Sequence, residues 1–98
     1  MIYVVATLEI RPDTLEALVD VARPLLEGTR NEPGCRRYDL HASVTDPSRV
    51  VFVEEWESRE HLEAHFGTPH IAAWRQASKP FVVSARVEII HPDRVEAI

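Results

Sequence analysis

Three histidines crowd one segment in the second half of the chain, and histidine is the side chain best suited to proton transfer near neutral pH. Its ordinary pKa of about 6.5 lets it take or give a proton there. His61 and His65 are four residues apart and would share one face of a helix, while His70 follows after a short break. Zinc proteases use this spacing, but they need a glutamate directly after the first histidine, where this chain has Leu62. With no third ligand evident, the pattern favours proton transfer over metal binding.

The break between His65 and His70 is a Gly-Thr-Pro sequence at 67–69, which can turn both rings toward one concavity. Trp74 follows His70 by four residues, so an imidazole and an indole N–H would share one side of the second helical segment. Two plainer interpretations stay open. His61 is also typical of a solvated surface residue, and His65 and His70 are compatible with packing roles alone.

The elements that must position these histidines follow a β-α-β-β-α-β pattern. β-branched and apolar runs indicate strands, and apolar residues at i, i+3, i+4 and i+7 indicate a helix. The predicted elements are a strand at 2–10, a helix at about 14–30, a strand near 37–42, a strand at 49–57, helices at 59–66 and 69–78, and a strand at 81–90.

Residue types also predict the helix ends and one interruption within a helix. Asp13 and Glu16 have the spacing of a capping box, and Ser58 can cap the second helix. A Thr-Pro pair at 68–69 stands in the favoured N-cap and N1 order. Pro24 falls opposite the apolar stripe of the first helix, so its lost hydrogen bond would face water and the helix need only bend.

This order at this length predicts an α+β fold of the ferredoxin-like type, with an antiparallel sheet and two helices on one face. Strands one and three would be central, because both are apolar on both sides. Helices on one face leave the other face to be covered by something else. We expect a second copy of the chain, packed sheet to sheet in a barrel-like homodimer; a ligand or the C-terminal tail are the alternatives.

The face away from the helices is expected to mix charges with aromatic rings. Such groups must pair or line a cavity, so this face predicts either the polar rim of a dimer interface or a small pocket. The residues assigned to it are Thr7, Arg37, Asp39, His41, Glu54, Arg86 and Glu88, beside Tyr3, Phe52 and Trp56.

Composition limits the remaining possibilities. The chain has 98 residues, which is one domain, and its 16 acidic against 11 basic side chains argue against DNA or RNA as a partner. A single cysteine excludes an intrachain disulfide and fits a reducing compartment. No long apolar segment, leader pattern, phosphate loop or nucleophile elbow is evident, so we expect a cytoplasmic protein with no membrane partner and no nucleotide cofactor.

Several segments together resemble the antibiotic biosynthesis monooxygenase (ABM) domain family, most closely the small quinol monooxygenases of bacteria. The similarity covers nearly the whole chain, from Ile2 to about Pro92, as a single domain over 1–98. Its centre is a strand ending in E-x-W followed by H-x-x-x-H-x-x-x-P-H. The segments are 54–58 (EEWES), 61–66 (HLEAHF), 68–70 (TPH) with Trp74, 32–35 (EPGC) and 38–40 (YDL).

The resemblance implies a homodimeric α/β barrel that oxidises an electron-rich quinol or polyphenol with O₂, without flavin, haem or metal. Such chemistry needs a base, donors that hold the phenolate, and a dry pocket. The residues that would fill these roles are His65 or His70 as base with His41 in reserve, Trp74, Tyr38 and Arg37 as donors or walls, Phe52 and Trp56 as apolar surface, and Glu54 to orient a histidine.

Two other activities and one non-catalytic role are the alternatives to quinol oxidation. The haem-degrading branch of this fold uses an Asn on the first strand and a His in the second helix; Thr7 and Arg75 stand near those places here, which argues against haem. A branch that isomerises a phosphorylated signalling sugar shares the histidines around Thr-Pro-His and ranks third. A non-catalytic dimeric domain that binds a small aromatic, or serves as an accessory, is the main alternative to an enzyme.

Overall fold

The computed structural model describes all residues, 1–98, and shows an α+β ferredoxin-like fold. The elements follow the predicted order, and their bounds agree with the sequence-based ones to within about two residues. They are β1 (Ile2–Ile10), α1 (Leu15–Arg30), β2 (Cys35–Ala42), β3 (Arg49–Trp56), α2 (Arg59–Phe66), α3 (Pro69–Ser78) and β4 (Val82–Ile90). No helix combines the length and the apolar composition needed to cross a bilayer.

The four strands form one antiparallel sheet in the order β2-β3-β1-β4, so β1 and β3 are central as predicted. The pairing places Phe52 opposite Ala6 and Glu54 opposite Val4. Tyr38 lies opposite Glu54 on the other side of β3. Because paired residues in a sheet point to the same face, Tyr38, Phe52 and Glu54 share the face of Val4 and Ala6.

Most of the predicted helix ends are confirmed. The Ser58 hydroxyl accepts a hydrogen bond from the His61 backbone N–H at 3.2 Å and so caps α2. The Thr68 hydroxyl caps α3 by accepting from the Ile71 N–H at 3.4 Å. Gly67 ends α2, and Pro24 lies on the exposed side of α1.

The capping box predicted for α1 is wrong. The N-cap is Thr14, and no side chain accepts a hydrogen bond from the first turn of the helix. Asp13 has a φ of 62°, in the left-handed region, and the Thr14 hydroxyl instead donates to the Arg11 carbonyl at 2.7 Å. The predicted N-cap, Asp13, therefore lies one residue before the actual one, within the turn that precedes the helix.

One face of the sheet carries the helices and the hydrophobic core. We call it the helix-side face; on it, every second residue of β1 and β3 is buried against leucines of α1 and α2 such as Leu18, Leu25 and Leu62. Its members on the central strands are Ile2, Val4, Ala6, Leu8, Ile10, Val50, Phe52, Glu54 and Trp56. Burial of the apolar side chains in this set supplies the main favourable free energy of folding.

The opposite face, the open face, has no helix over it. Its centre is apolar and half-exposed, formed by Tyr3, Val5, Val51 and Val53. Its polar members include Thr7, Arg37, Asp39, His41, Glu55, Arg86 and Glu88. Beyond β4, the tail leaves its apolar Val95 and Ile98 exposed rather than burying them.

The assignment of Phe52, Glu54 and Trp56 to this open face is a sequence prediction that the structure contradicts. All three are buried on the helix-side face. The physical reason is that residues 50–53 are all apolar, so the alternation of β3 does not reveal which side faces the helices. Only the pairing with β1 decides it.

Candidate active site

A cavity of about 360 Å³ lies between the helix-side face and the helices α2 and α3. Its wall is mostly apolar and includes Ala6 and Phe52 from the sheet and Ile71 and Trp74 from α3. Trp74 packs edge-on against Phe52, with ring centroids 5.5 Å apart. A volume in the lower part of the roughly 300–1,000 Å³ range of ligand pockets, with few polar groups, suits a small aromatic molecule.

His65 is the polar group at the inner end of this cavity. It lies in the last turn of α2, and its side chain is only 2% exposed. Its Nδ1 atom is 2.6 Å from Oε2 of Glu32, in the turn after α1. The same oxygen lies 2.7 Å from Nε2 of His70, in the first turn of α3. One carboxylate oxygen therefore holds two imidazoles from different helices.

The hydrogen bonds assign the ring tautomers. An ionised carboxylate only accepts, so Nδ1 of His65 and Nε2 of His70 must carry the protons that Glu32 receives. In neutral His65 this leaves the lone pair on Nε2. His65 lines the cavity, whereas Glu32 and His70 lie behind it, and Nδ1 of His70 faces the backbone of Gly28 so closely that a Cβ there would come within 2.8 Å. His65, rather than His70, is placed to act as a base.

Burial sets the charge state of His65. Desolvation lowers its pKa below the ordinary value, while the hydrogen bond and the charge of Glu32 work in the opposite direction. The net effect is a ring that is neutral at pH 7 with its Nε2 lone pair available. The carboxylate behind it would stabilise the imidazolium that forms when a proton arrives.

Glu54 is the second titratable group of the cavity, and its partner differs from the one expected. Its Oε1 accepts a hydrogen bond from the Trp56 indole N–H at 2.9 Å, and burial raises its pKa to about 7. The prediction that Glu54 orients a histidine is wrong, because Glu32 makes those contacts. Glu54 is instead a cavity-lining carboxyl held by an indole.

An aromatic cluster supports His65. The Tyr38 ring lies edge-on to His65 at 5.3 Å between centroids, and the Trp56 ring lies 4.9 Å from it. Burial and the nearby Glu54 raise the pKa of Tyr38, so its phenol stays protonated. These rings hold the imidazole in place and exclude water around it.

The predicted site residues divide between the two sides of the sheet. Five of them line the cavity, namely His65, Trp74, Tyr38, Phe52 and Glu54. Trp56 and His70 lie directly behind its wall. Arg37 and His41 lie on the open face, where Arg37 faces Glu55 at 3.8 Å, so the structure does not bring these two to the cavity.

Sequence reasoning missed Glu32 as well as three polar cavity residues in and directly after the last turn of α3. Glu32 precedes His65 by 33 residues, and no local spacing connects them. Arg75, Ser78 and Lys79 also line the cavity. The sequence contained a signal for all three, because residues four apart share one side of a helix. Ser78 continues the series His70 and Trp74, and Arg75 and Lys79 continue the series that begins at Ile71.

The Glu32, His65 and His70 side chains are also of the types that bind zinc or iron, and their ligand atoms lie within 4.8 Å of one another. Two ligands of a tetrahedral zinc ion stand about 3.3 Å apart, given bonds of about 2.0 Å. The contacts of 2.6 and 2.7 Å are shorter, as expected of hydrogen bonds. An ion could enter this cluster only if the carboxylate moved away from both rings.

Fold and site together define a class: a ferredoxin-like α+β domain with a histidine-based cavity between its sheet and its helices. The comparison with known families gives the same answer, since the family model described as Antibiotic biosynthesis monooxygenase matches residues 1–77. The chain belongs to this ABM family, as the resemblance of its motifs predicted.

Individual relatives cover almost the whole chain. It is 33% identical to the Escherichia coli protein called Probable quinol monooxygenase YgiN, over 94% of this chain and 98% of that one. Among solved structures, Rv0793 from Mycobacterium tuberculosis is 30% identical with a TM-score of 0.87, covering 98% of each chain. Protein SO0527 from Shewanella oneidensis is 33% identical with a TM-score of 0.85, covering 93% of this chain and 89% of its own.

Proposed function

We propose that this chain is a cofactor-independent monooxygenase that oxidises a quinol or a related polyphenolic aromatic with O₂. The observation that carries the proposal is His65, a buried imidazole on an apolar cavity with its Nδ1 held by Glu32 at 2.6 Å. The similarity to a protein named as a quinol monooxygenase supports the substrate class. Oxidation without a cofactor requires the substrate itself to be the electron donor, and electron-rich phenols meet that requirement.

The first step is removal of the phenolic proton by Nε2 of His65. Glu32 is behind the ring and stabilises the imidazolium by accepting from Nδ1–H. The phenolate is a far better one-electron donor than the phenol. Since the cavity walls are mainly apolar, the charge pair forms away from bulk water, where the hydrogen bonds to it are strengthened.

The second step consumes O₂. The phenolate gives one electron to O₂, and the resulting superoxide couples to a hydrogen-bearing ring carbon, which forms a C–O bond and a peroxide. His65 returns its proton to the peroxide. Loss of the ring C–H proton and cleavage of the O–O bond then give a carbonyl and water. One oxygen atom enters the product and the other leaves as water, with the four electrons supplied by the substrate.

Trp74, Tyr38 and Phe52 would fix the plane of the substrate ring through stacking and edge contacts. These three side chains already pack on one another or on His65, with Tyr38 and Phe52 at 5.4 Å and Phe52 and Trp74 at 5.5 Å. A ring held between them would present its hydroxyl to His65. Rigid walls also confine the radical pair until it combines.

The functional unit in this proposal is a homodimer formed through the open faces. The apolar centre at Tyr3, Val5, Val51 and Val53 lies on a face that no helix covers. A second sheet packed on it would bury these side chains at about 25 cal/mol per Å² of apolar area. Charged residues around the centre would then form a polar rim.

The test is oxygen uptake and product analysis with a panel of hydroxynaphthalenes, including 1,4-dihydroxynaphthalene. We expect saturable uptake, and under ¹⁸O₂ one labelled atom in each product molecule. Replacement of both His65 and His70 by Ala should abolish uptake while the protein stays folded. Binding without turnover would instead identify a small-aromatic-binding domain, and unchanged turnover in the double variant would remove the histidines from the mechanism.

A further inference from the structure

The basic residues of this chain are nearly all paired, and the two exceptions share one location. Arg75 and Lys79 form no ion pair and no hydrogen bond within the chain. Arg11 donates to the Pro80 carbonyl at 3.1 Å. The basic residues that face a carboxylate are Arg23, Arg30, Arg36, Arg37, Arg49, Arg59, Arg86 and Arg94. In a chain with 16 acidic and 11 basic side chains, two unpaired cations are unexpected on composition alone.

Both unpaired cations line the cavity. Arg75 and Lys79 stand one turn apart in α3 and at its end, with the buried Ser78 between them. The helix sequence from Pro69 to Ser78 contains no acidic residue that could neutralise them. Their side chains are exposed, so they occupy the mouth of the cavity, whereas its inner end holds His65 and the aromatic rings.

We propose that the cavity selects aromatic substrates that carry an anionic substituent, a carboxylate or a phosphate, which Arg75 and Lys79 hold at the cavity mouth. This inference rests on the proposed oxidation for the identity of the ring, but the binding it predicts requires no turnover. The apolar wall accepts the ring, and the anion remains where water can still reach it. Its desolvation cost is therefore smaller than that of a fully buried ion pair.

The arrangement also links substrate charge to the base. Burial is the main cause of the lowered pKa of His65, and the positive charge of Arg75 lowers it further, while Glu32 acts in the opposite direction. An anion that neutralises Arg75 would remove part of this effect and make His65 a better proton acceptor when substrate is bound. Recognition at the mouth and proton removal at the inner end would thus support each other.

The experiment is isothermal titration calorimetry with two probes that differ by one carboxylate, 1-hydroxy-2-naphthoate and 1-naphthol. In the natural protein we expect the carboxylate probe to bind about tenfold or more tightly, the usual effect of charge-assisted hydrogen bonds. The double variant Arg75→Gln with Lys79→Gln should reduce the ratio of the two affinities to near one. Added salt should reduce it in the natural protein.

The matched control is Arg94→Gln, which removes one positive charge from the tail, where Arg94 pairs with Glu96 at 3.1 Å. It should leave the affinity ratio unchanged. Equal affinities for the two probes, no binding of either probe, or an unchanged ratio in the double variant would overturn the inference. Oxygen uptake with neutral 1,4-dihydroxynaphthalene tests the proposed oxidation separately, so failure of one proposal is distinguishable from failure of the other.

Discussion

The two faces of the sheet are built from alternate residues of the same strands, yet their polar groups are organised in different ways. On the helix-side face, the buried carboxylate of Glu54 accepts a hydrogen bond from the Trp56 indole N–H at 2.9 Å, and in the helical layer packed on that face Glu32 is bonded to His65 at 2.6 Å. On the open face, charges form longer ion pairs, as between Arg37 and Glu55 at 3.8 Å. Where these polar groups are buried, each one is held by a defined hydrogen-bond partner.

This difference has consequences for energy and for function. Surface ion pairs contribute about 0–1 kcal/mol each, so those of the open face do little for the fold. Buried titratable groups have altered pKa values, as Glu54 and His65 do, and such groups are typical of functional sites. The helix-side face therefore suits chemistry, and the apolar centre of the open face suits association.

The largest expected difference between the faces is in catalysis. His65→Ala removes the base of the cavity and should lower kcat for 1,4-dihydroxynaphthalene by about 10²- to 10⁴-fold, the usual contribution of general base catalysis. His41→Ala changes a histidine of the open face and should leave kcat within about twofold. Both rates are measured by oxygen uptake. Equal losses in the two variants would show that the cavity is not the reacting site.

A substitution on the open face should change self-association rather than catalysis. Val53→Asp places a charge at its apolar centre, which should weaken self-association roughly 100-fold or more, because the charge would be buried without a partner. Analytical ultracentrifugation should show the natural protein at twice the 11.2 kDa chain mass and the variant at the single-chain mass. Val44→Asp is the matched control, since Val44 is fully exposed in a loop. A monomeric natural protein would contradict the proposed dimer.

Glu32→Gln should reduce kcat/KM about 10- to 100-fold near pH 7.5, because a neutral amide stabilises the imidazolium less than a carboxylate does. The substitution should also shift the pH dependence of kcat/KM in one direction. Glu32 raises the pKa of His65 against the effect of burial, so its neutralisation lowers that pKa further. The acid limb of the kcat/KM profile, where activity is lost as His65 becomes protonated, should move to lower pH.

A purely structural role for Glu32 would lower the rate without moving that limb. Glu27→Gln is the control, since Glu27 is an exposed residue near the same end of α1. It should change neither the rate nor the pH profile.

The smallest expected effect is on stability. The pKa of Glu54 rises from 4.5 to about 7 on folding, so ionised Glu54 destabilises the folded state increasingly between these pH values and fully above pH 7. Glu54→Gln removes this cost and keeps an acceptor for Trp56. It should raise the free energy of unfolding by up to about 3 kcal/mol at pH 8 and by little at pH 5. Urea denaturation at fixed protein concentration measures both, and an equal change at both pH values would contradict the raised pKa.

Sequence alone was sufficient for the element order, the central strands, and the selection of His65, Trp74, Tyr38 and Phe52, which line the cavity. These depend on local periodicity and on caps such as Ser58 and Thr68, which act within one turn. The sequence could not show which side of β3 faces the helices, because the apolar residues at 50–53 suit either side. Glu32 was missed for a related reason: its contact with His65 exists only after α1 and α2 pack on the same sheet.

The central claim is that side chains of this cavity and the substrate carry out the oxidation without a cofactor. The most direct test is oxygen uptake by protein shown by elemental analysis and absorbance spectroscopy to hold no metal, flavin or haem. We predict saturable uptake with 1,4-dihydroxynaphthalene above the protein-free rate, unaffected by added chelator. Uptake that requires added flavin or metal, or that does not exceed the protein-free rate, would contradict the claim.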